Sequence, residues 1–138
     1  IYPVLCGIAD FRLSPDAYLS LADERAKAAR LHAFAQDHSF DATVAEYYRI
    51  TDDVPPDQAR RFAAYVRAGD ARGAAVLRKL GPGAGPLLDA GCGAGGLVVA
   101  AARAGQPVIG LDIALRWLVI AQKRLAEAGL TAELVCAD

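Results

Sequence analysis

The chain has 138 residues, 54% of them hydrophobic, and a formal net charge of −1, which suits one domain with its own core and no electrostatic footprint for nucleic acid. No apolar run is long enough to span a membrane, and the first residues lack a signal-peptide pattern. Three widely spaced cysteines predict neither a disulfide framework nor a zinc site and favour a reducing, cytoplasmic location.

Residues 1–13 have the pattern of an extended arm: a strand, a turn at Gly7 and a second extended piece. Their sequence, Ile-Tyr-Pro-Val-Leu-Cys-Gly-Ile-Ala-Asp-Phe, resembles the last strand of a small zinc-ribbon-like domain of the Trm112 type. An arm packed on the helices that follow is the alternative interpretation.

Residues 14–81 have the pattern of a helical cap. Ser14, Pro15 and Asp16 predict a helix start, and Ser20 predicts the cap of a longer helix from Leu21 to about Gln36. We expect this longer helix to bury an alanine face and to expose a charged one. The alanine face consists of Ala22, Ala26, Ala29 and Ala33, with Leu31 and Phe34 beside it, and the charged face of Asp23, Glu24, Arg25, Lys27 and Arg30.

Two further helices are predicted in the cap. Asp41 is expected to cap a short helix through Ile50, which carries Tyr47 and Tyr48. A long helix is predicted from Asp57 to about Leu80, with a bend or break near Gly69 and Asp70. Its predicted apolar stripe is Phe62, Val66, Val76, Leu77 and Leu80. His32 and His38 have no third ligand in view, so no metal site is predicted.

After a glycine- and proline-rich loop at 81–86, strands and helices alternate strictly. Strands without polar alternation, each followed by a helix, predict the α/β class: a Rossmann-like parallel sheet, here of three strands, with its ligand at their carboxyl ends. The predicted order is strand Leu87–Ala90, helix from about Gly95 to Ala104, strand Pro107–Leu111, helix Ala114–Ala128 and strand Thr131–Ala137.

The first of these strands ends in a glycine-rich turn that fits two templates. Gly91–Gly96 matches the G-x-G-x-x-G dinucleotide fingerprint, and Asp89–Gly95 matches D-x-G-x-G-x-G. A carboxylate at Asp89 would repel the pyrophosphate of a dinucleotide, whereas S-adenosylmethionine carries a cationic ammonium and sulfonium. The stretch, Cys92 included, resembles motif I of the class I S-adenosylmethionine-dependent methyltransferases.

Asp112 ends the second strand, where its carboxylate can accept both ribose hydroxyls of a nucleoside, cap the next helix, or do both. The ribose role suits S-adenosylmethionine and NAD alike. The resemblance further implies that Asp138 bonds the adenine amino group and that Ile113 packs on the adenine face. The predicted cofactor-binding residues are Asp89, Gly91, Cys92, Gly93, Gly95, Asp112, Ile113 and Asp138.

The resemblance implies S-adenosyl-L-methionine as the cofactor and transfer of its methyl group to an unidentified acceptor, with a small molecule or protein favoured over RNA. Tyr47 and Tyr48 are the predicted acceptor-pocket residues, and no catalytic residue is predicted. Two alternatives stay open: an NAD(P)-binding Rossmann oxidoreductase domain, and a non-catalytic fragment that only binds a partner.

The predicted organisation is an extended arm (1–13), a helical cap region (14–81) and the N-terminal half of a Rossmann-like cofactor domain (82–138). We also predict that 14–80 folds with the sheet as one unit. The chain starts without methionine and stops as the third strand ends, so we expect a truncated methyltransferase that is inactive alone. The unpaired apolar edge at Leu87–Ala90 offers a dimer contact.

Overall fold

The computed structural model of the chain describes residues 1–81, 83 and 85–138. The predicted loop at 81–86 therefore lies partly outside the described residues, at Pro82 and Ala84. In the described ranges, no helix is long and apolar enough to cross a membrane. The elements are β1 (Val4–Leu5), β2 (Ile8–Asp10), α1 (Leu21–Asp37), α2 (Phe40–Arg49), α3 (Pro56–Arg67), α4 (Gly69–Leu80), β3 (Leu87–Ala90), α5 (Gly96–Arg103), β4 (Val108–Asp112), α6 (Leu115–Glu127) and β5 (Glu133–Cys136).

The strands form one sheet in the order β1-β2-β5-β4-β3, parallel except that β1 is antiparallel to β2. The predicted α/β class with a Rossmann-like parallel sheet is confirmed. The prediction of only three strands is wrong, because Ala9 pairs with Val135 and so adds the arm to the sheet beside β5. The free N–H and C=O groups of β5 provide the template for that pairing. The opposite edge is β3, where Leu88 is 60% exposed.

A buried ion pair fastens the arm to the rest of the fold. Two nitrogens of Arg12 donate to the Asp10 carboxylate at 2.8 and 2.9 Å, and neither side chain of the pair is exposed. These hydrogen bonds lower the pKa of Asp10 to about 2. Arg12 also donates to the Ile113 carbonyl at 2.9 Å, so the arm is tied to the loop that follows β4.

The core lies between the sheet and its helices. α1 and α2 pack on α6, and α4 packs on α5, so the helical region at 14–80 shares contacts with the sheet's own helices. The Cys136 side chain is fully buried, which fits a cysteine acting as a small hydrophobe. The largest apolar side chains at the centre are Ile8, Leu31, Leu115, Leu118 and Ile120.

Helix α1 buries a different face from the predicted one. The Ser20 hydroxyl accepts from the Asp23 N–H at 3.1 Å, which confirms the predicted cap. The expected alanine face is exposed, however, and the buried residues are Glu24, Ala28, Leu31 and Ala35. Burying Leu31 removes more apolar surface than burying an alanine, and Glu24 is accommodated by an ion pair with Arg116.

Two predicted helix starts are also wrong. Residues 14–20 form no helix, because the Asp16 carboxylate accepts from the N–H groups of Tyr18 and Leu19, both at 2.8 Å, and so holds a turn. The cap of α2 is Ser39 rather than Asp41: the Ser39 hydroxyl accepts from the Ala42 N–H at 3.1 Å. Serine at this position reaches the first free N–H groups of the helix, which Asp41 is too far inside to do.

The long predicted helix is two helices, α3 and α4, and the break falls near Gly69 as expected. Gly69 and Gly73 are both buried: a Cβ at Gly73 would overlap the start of α5, and a Cβ at Gly69 would overlap the Arg124 guanidinium on α6. The predicted apolar stripe is only partly buried. Phe62, Val76 and Leu80 are among the exposed hydrophobic residues, because the helix pair turns this side away from the core.

Replacing Gly73 by alanine should destabilise the fold, although alanine normally favours a helix over glycine by about 1 kcal/mol. The added Cβ would overlap the Gly96 carbonyl and lie 2.7 Å from the Leu97 nitrogen. Backbone atoms cannot move aside without shifting α5, so we expect the free energy of unfolding to fall by about 1–3 kcal/mol. Urea denaturation measures this, with the exposed Ala71→Ser as control; an unchanged or higher midpoint for Gly73→Ala would contradict the packing.

Candidate cofactor and acceptor site

The glycine turn between β3 and α5 requires glycine for its backbone conformation. Gly91, Gly93 and Gly95 have φ values of 76°, 51° and 73°, in the left-handed region that other residues avoid. The turn is tied to β4, because the N–H groups of Gly91 and Cys92 both donate to the Leu111 carbonyl, at 2.8 and 2.9 Å. A Cβ at Gly91 or Gly93 would meet nothing within 4 Å, so the space above these two residues is open to a ligand.

Asp112 lies at the carboxyl end of β4, and its carboxylate holds two loops together. One oxygen accepts from the Ala114 N–H at 2.8 Å at the start of α6, and the other accepts from the Gly93 N–H at 2.8 Å. The predicted capping role is therefore present in the structure. Each oxygen retains a further lone pair for a ligand hydroxyl.

Asp89 is a half-buried acid beside the same turn. Burial, with the nearby charge of Asp112, raises the pKa of the Asp89 carboxyl. In the described part of the chain, no cation pairs with Asp89 and no donor bonds to it. Two neighbouring carboxylates without a cation fit a ligand with an ammonium and ribose hydroxyls, and they disfavour a diphosphate.

Cys92 is 9% exposed and packs over Gly110, where a Cβ would lie 3.0 Å from its sulfur. Burial raises the pKa of the thiol to about 12, so Cys92 is not a reactive thiolate at neutral pH. It borders the site chiefly as a small apolar residue.

The two residues predicted at the adenine end are both in contact with the arm. The Ile113 carbonyl accepts from Arg12, and the Asp138 carboxylate accepts from the N–H groups of Leu13 and Ser14 at 3.2 and 2.9 Å. The hydrogen bond from Leu13 lowers the pKa of Asp138. The arm thus borders this end of the site, which the sequence did not reveal.

Tyr47 and Tyr48 share a cavity of about 940 Å³ with the glycine turn and Asp89. The structure therefore brings the predicted acceptor residues next to the first part of the predicted cofactor site. Trp117, which the sequence alone suggests as packing, also lines this cavity and is half-buried. Asp112, Ile113 and Asp138 do not line this cavity.

Sequence reasoning missed a buried charge cluster at the wall of this cavity. Arg116, which is 5% exposed, forms ion pairs with Asp16 and Glu24. Its side chain also lies 3.5 Å from the Tyr47 hydroxyl. The only signal in the sequence is an arginine in the apolar first turn of α6, and its partners are about a hundred residues earlier. In the described residues no cluster of three or more metal-ligating side chains is found.

Replacing Asp89 by asparagine should separate ligand binding from stability. Because the pKa of Asp89 is raised in the folded protein, folding favours the protonated acid. The stability of the apoprotein should therefore fall as pH rises through the titration of Asp89. Asp89→Asn, which cannot ionise, should raise the melting temperature at neutral pH. Affinity for S-adenosylhomocysteine should rise over the same pH range and fall about tenfold or more in the variant. Calorimetry from pH 4.5 to 8 measures both trends, with the exposed Asp52→Asn as control; an Asp89→Asn variant with wild-type affinity would contradict this role.

Comparisons with known proteins give matches of different extent. A family model described as "Methyltransferase domain" matches residues 87–138. A solved structure reported as "Conversion of a Disulfide Bond into a Thioacetal Group during Echinomycin Biosynthesis" is 35% identical, with a TM-score of 0.43, over 47% of this chain and 27% of that one. The match therefore spans well under half the length of that protein. A search of curated proteins gives no significant match.

The matched segment contains β3, the glycine turn, α5, β4, α6 and β5, and with them Asp89 and Asp112. These are the residues on which the resemblance to motif I rests. Residues 87–138 therefore match the methyltransferase domain family, and this match confirms the predicted resemblance to class I S-adenosylmethionine-dependent methyltransferases for this segment.

Proposed function

We propose that the protein is a methyltransferase that uses S-adenosyl-L-methionine as its methyl donor. The observation that carries this proposal is the pair of carboxylates, Asp89 and Asp112, beside an open glycine turn, with no cation paired to Asp89 among the residues that the structure describes. A family match over the same residues supports it.

The residues present fit this cofactor in three places. We assign the ribose hydroxyls to Asp112, whose oxygens each keep a free lone pair. We assign the amino acid portion to the open space above Gly91 and Gly93, with its ammonium toward Asp89. We assign the adenine to the end where Ile113 and Asp138 lie beside the arm.

When bound, the cofactor would supply an electrophilic methyl group on a sulfonium, with S-adenosylhomocysteine as the leaving group. The chain's part is positioning, which supplies most of the acceleration when the reacting atoms are held about 3–3.5 Å apart. The rings of Tyr47 and Tyr48 border the same cavity, so we assign them to the acceptor side and to the exclusion of water. No side chain is assigned as a general base.

Two rivals make different predictions. A dinucleotide-binding oxidoreductase domain would need a pyrophosphate at the turn, beside the unpaired charge of Asp89. A non-catalytic fragment would bind none of these nucleosides.

A thermal-shift comparison of S-adenosylhomocysteine, NAD and NADP tests the proposal. We expect stabilisation by S-adenosylhomocysteine alone, since a ligand that binds only the folded state raises the melting temperature. Stabilisation by NAD or NADP would favour the oxidoreductase, and no shift with any of the three would favour the non-catalytic fragment.

The proposal extends to the class of methyl acceptor, the cellular location and the assembly of the protein. The near-zero net charge supports a small molecule or protein acceptor over RNA. Three free cysteines support a reducing, cytoplasmic location. The exposed edge of β3, with Leu88 in it, supports pairing of two copies, which sedimentation velocity would test.

A further inference from the structure

The cavity beside the glycine turn is rich in aromatic side chains from the helical region. Four of the chain's five tyrosines and its one tryptophan line it. Two of these, Tyr18 and Tyr65, are 82% and 63% exposed, and Phe62 beside them is 49% exposed. Aromatic rings around a cavity of about 940 Å³ provide flat apolar walls for a planar ligand.

Three of the rings form a cluster at the inner wall. The Tyr47 centroid lies 4.9 Å from that of Tyr48 and 4.4 Å from that of Trp117. Burial raises the pKa of Tyr48 to about 12, so its hydroxyl stays protonated. In the described part of the chain this hydroxyl has no hydrogen-bond partner, whereas that of Tyr47 is 3.5 Å from Arg116. Tyr48 is therefore the member of the cluster with a free polar group.

A lysine on α1 supplies a positive charge to the same cavity. The Lys27 ammonium donates to the Thr51 hydroxyl at 2.5 Å and lies 4.7 Å from the Tyr47 ring centroid. Burial lowers the pKa of Lys27, so the groups around the ammonium do not fully offset the cost of removing its positive charge from water. In the described residues no carboxylate lies within ion-pair distance of it; Asp53, also on the cavity wall, is exposed and acts from farther away.

The other cations that line the cavity are held in different ways. Arg116 pairs with Asp16 and Glu24, and Arg124 pairs with Asp70. Arg72 lies over the Tyr65 ring and donates to the Tyr65 carbonyl. Lys27 thus differs from Arg116 and Arg124 in having capacity for an anion, and from Arg72 in lying over the Tyr47 ring of the inner cluster.

We propose that the methyl acceptor is a small aromatic acid, bound with its ring against Tyr48 and Trp117 and its anionic group on the Lys27 ammonium. This rests on the proposed function, because it assigns the acceptor side of that same site. A planar ring matches the aromatic wall, and a single negative charge matches the one ammonium there that lacks a carboxylate in the described chain. Lys27 is then a specificity-determining residue, since it distinguishes an acid from its neutral analogue.

Calorimetry on protein saturated with S-adenosylhomocysteine tests this, using benzoate, 4-hydroxybenzoate and 2-naphthoate, each against its neutral amide. We expect at least one acid to bind about tenfold or more tightly than its amide, because a charge-assisted hydrogen bond contributes about 1.5–3 kcal/mol. Lys27→Gln should remove the preference for the acid while leaving amide binding unchanged. Lys27→Arg should retain most of the preference for the acid. The control Lys79→Gln, on the exposed end of α4, should change neither affinity.

The remaining outcomes distinguish the two proposals. Equal affinities for acid and amide, or no binding of any of the acids to the saturated protein, would overturn the aromatic-acid proposal. If Lys27→Gln instead weakened S-adenosylhomocysteine binding, Lys27 would hold the cofactor's carboxylate; the aromatic-acid proposal would then be wrong and the proposed function would stand. If the wild-type protein did not bind S-adenosylhomocysteine, the proposed function itself would fail.

Discussion

Replacing Glu24 by alanine should lower the free energy of unfolding by about 3–5 kcal/mol, a large part of the total for a domain of this size. Glu24 is 1% exposed, and one of its oxygens accepts from the Arg116 N–H at 2.9 Å while the other pairs with the Arg116 guanidinium. Removing the carboxylate leaves Arg116 buried with Asp16 as its one remaining ion-pair partner in the described residues. It also leaves the first N–H groups of α6 without an acceptor.

A double-mutant cycle separates this cause from loss of packing. Arg116→Met alone should also be strongly destabilising, because it leaves Glu24 as an uncompensated buried charge. Combining Glu24→Ala with Arg116→Met should cost less than the sum of the two single losses, because the pair is then removed together. The exposed Asp37→Ala at the end of the same helix should stay within about 0.5 kcal/mol of wild type. Urea denaturation that gave strictly additive losses would contradict a coupled buried pair.

Replacing Asp112 by alanine should weaken binding of S-adenosylhomocysteine by about 100-fold. In the proposed assignment the Asp112 carboxylate accepts from two ribose hydroxyls, and each charge-assisted hydrogen bond contributes about 1.5–3 kcal/mol. The change also releases Gly93, whose N–H now bonds to Asp112 at 2.8 Å, so the glycine turn loses a constraint at the same time. Calorimetry at a temperature where both proteins are fully folded measures the loss.

The stability effect of the same change needs its own control. Asp112 also accepts from the Ala114 N–H, and loss of such a cap costs about 0.5–2 kcal/mol. Asp112→Asn keeps an oxygen for these N–H groups but removes the charge, so its affinity should fall between those of wild type and alanine. 5′-Methylthioadenosine, which keeps the ribose and lacks the amino acid, should lose affinity by a similar factor in Asp112→Ala. Wild-type affinity in the alanine variant would remove the ribose assignment.

The sequence predicted the sheet and the turn well because their signals are local. Three glycines at every second position after an apolar strand specify one backbone conformation, and the structure gives each a positive φ. The break near Gly69 was also predictable, since glycine is a poor helix former. The packing reason for glycine there was not, because a Cβ at Gly69 would overlap the guanidinium of Arg124, a residue far along the chain.

The wrong predictions of the number of strands and of the buried face of α1 share one cause: the deciding partner is distant in sequence. β2 has only three residues and becomes a strand by pairing with β5 at the other end of the chain. The buried face of α1 was misassigned because periodicity counts Glu24 as polar, and the arginine that makes its burial tolerable lies 92 residues later. Lys27 was placed on a solvated face for the same reason, although it lines the cavity.

A crystal structure of the protein with S-adenosylhomocysteine tests the central claim most directly. We predict the ribose hydroxyls within hydrogen-bond distance of Asp112, the amino acid portion over Gly91 and Gly93, and the sulfur facing the cavity lined by Tyr47 and Tyr48. Density for the ligand away from the glycine turn, or a ribose that makes no contact with Asp112, would contradict the account.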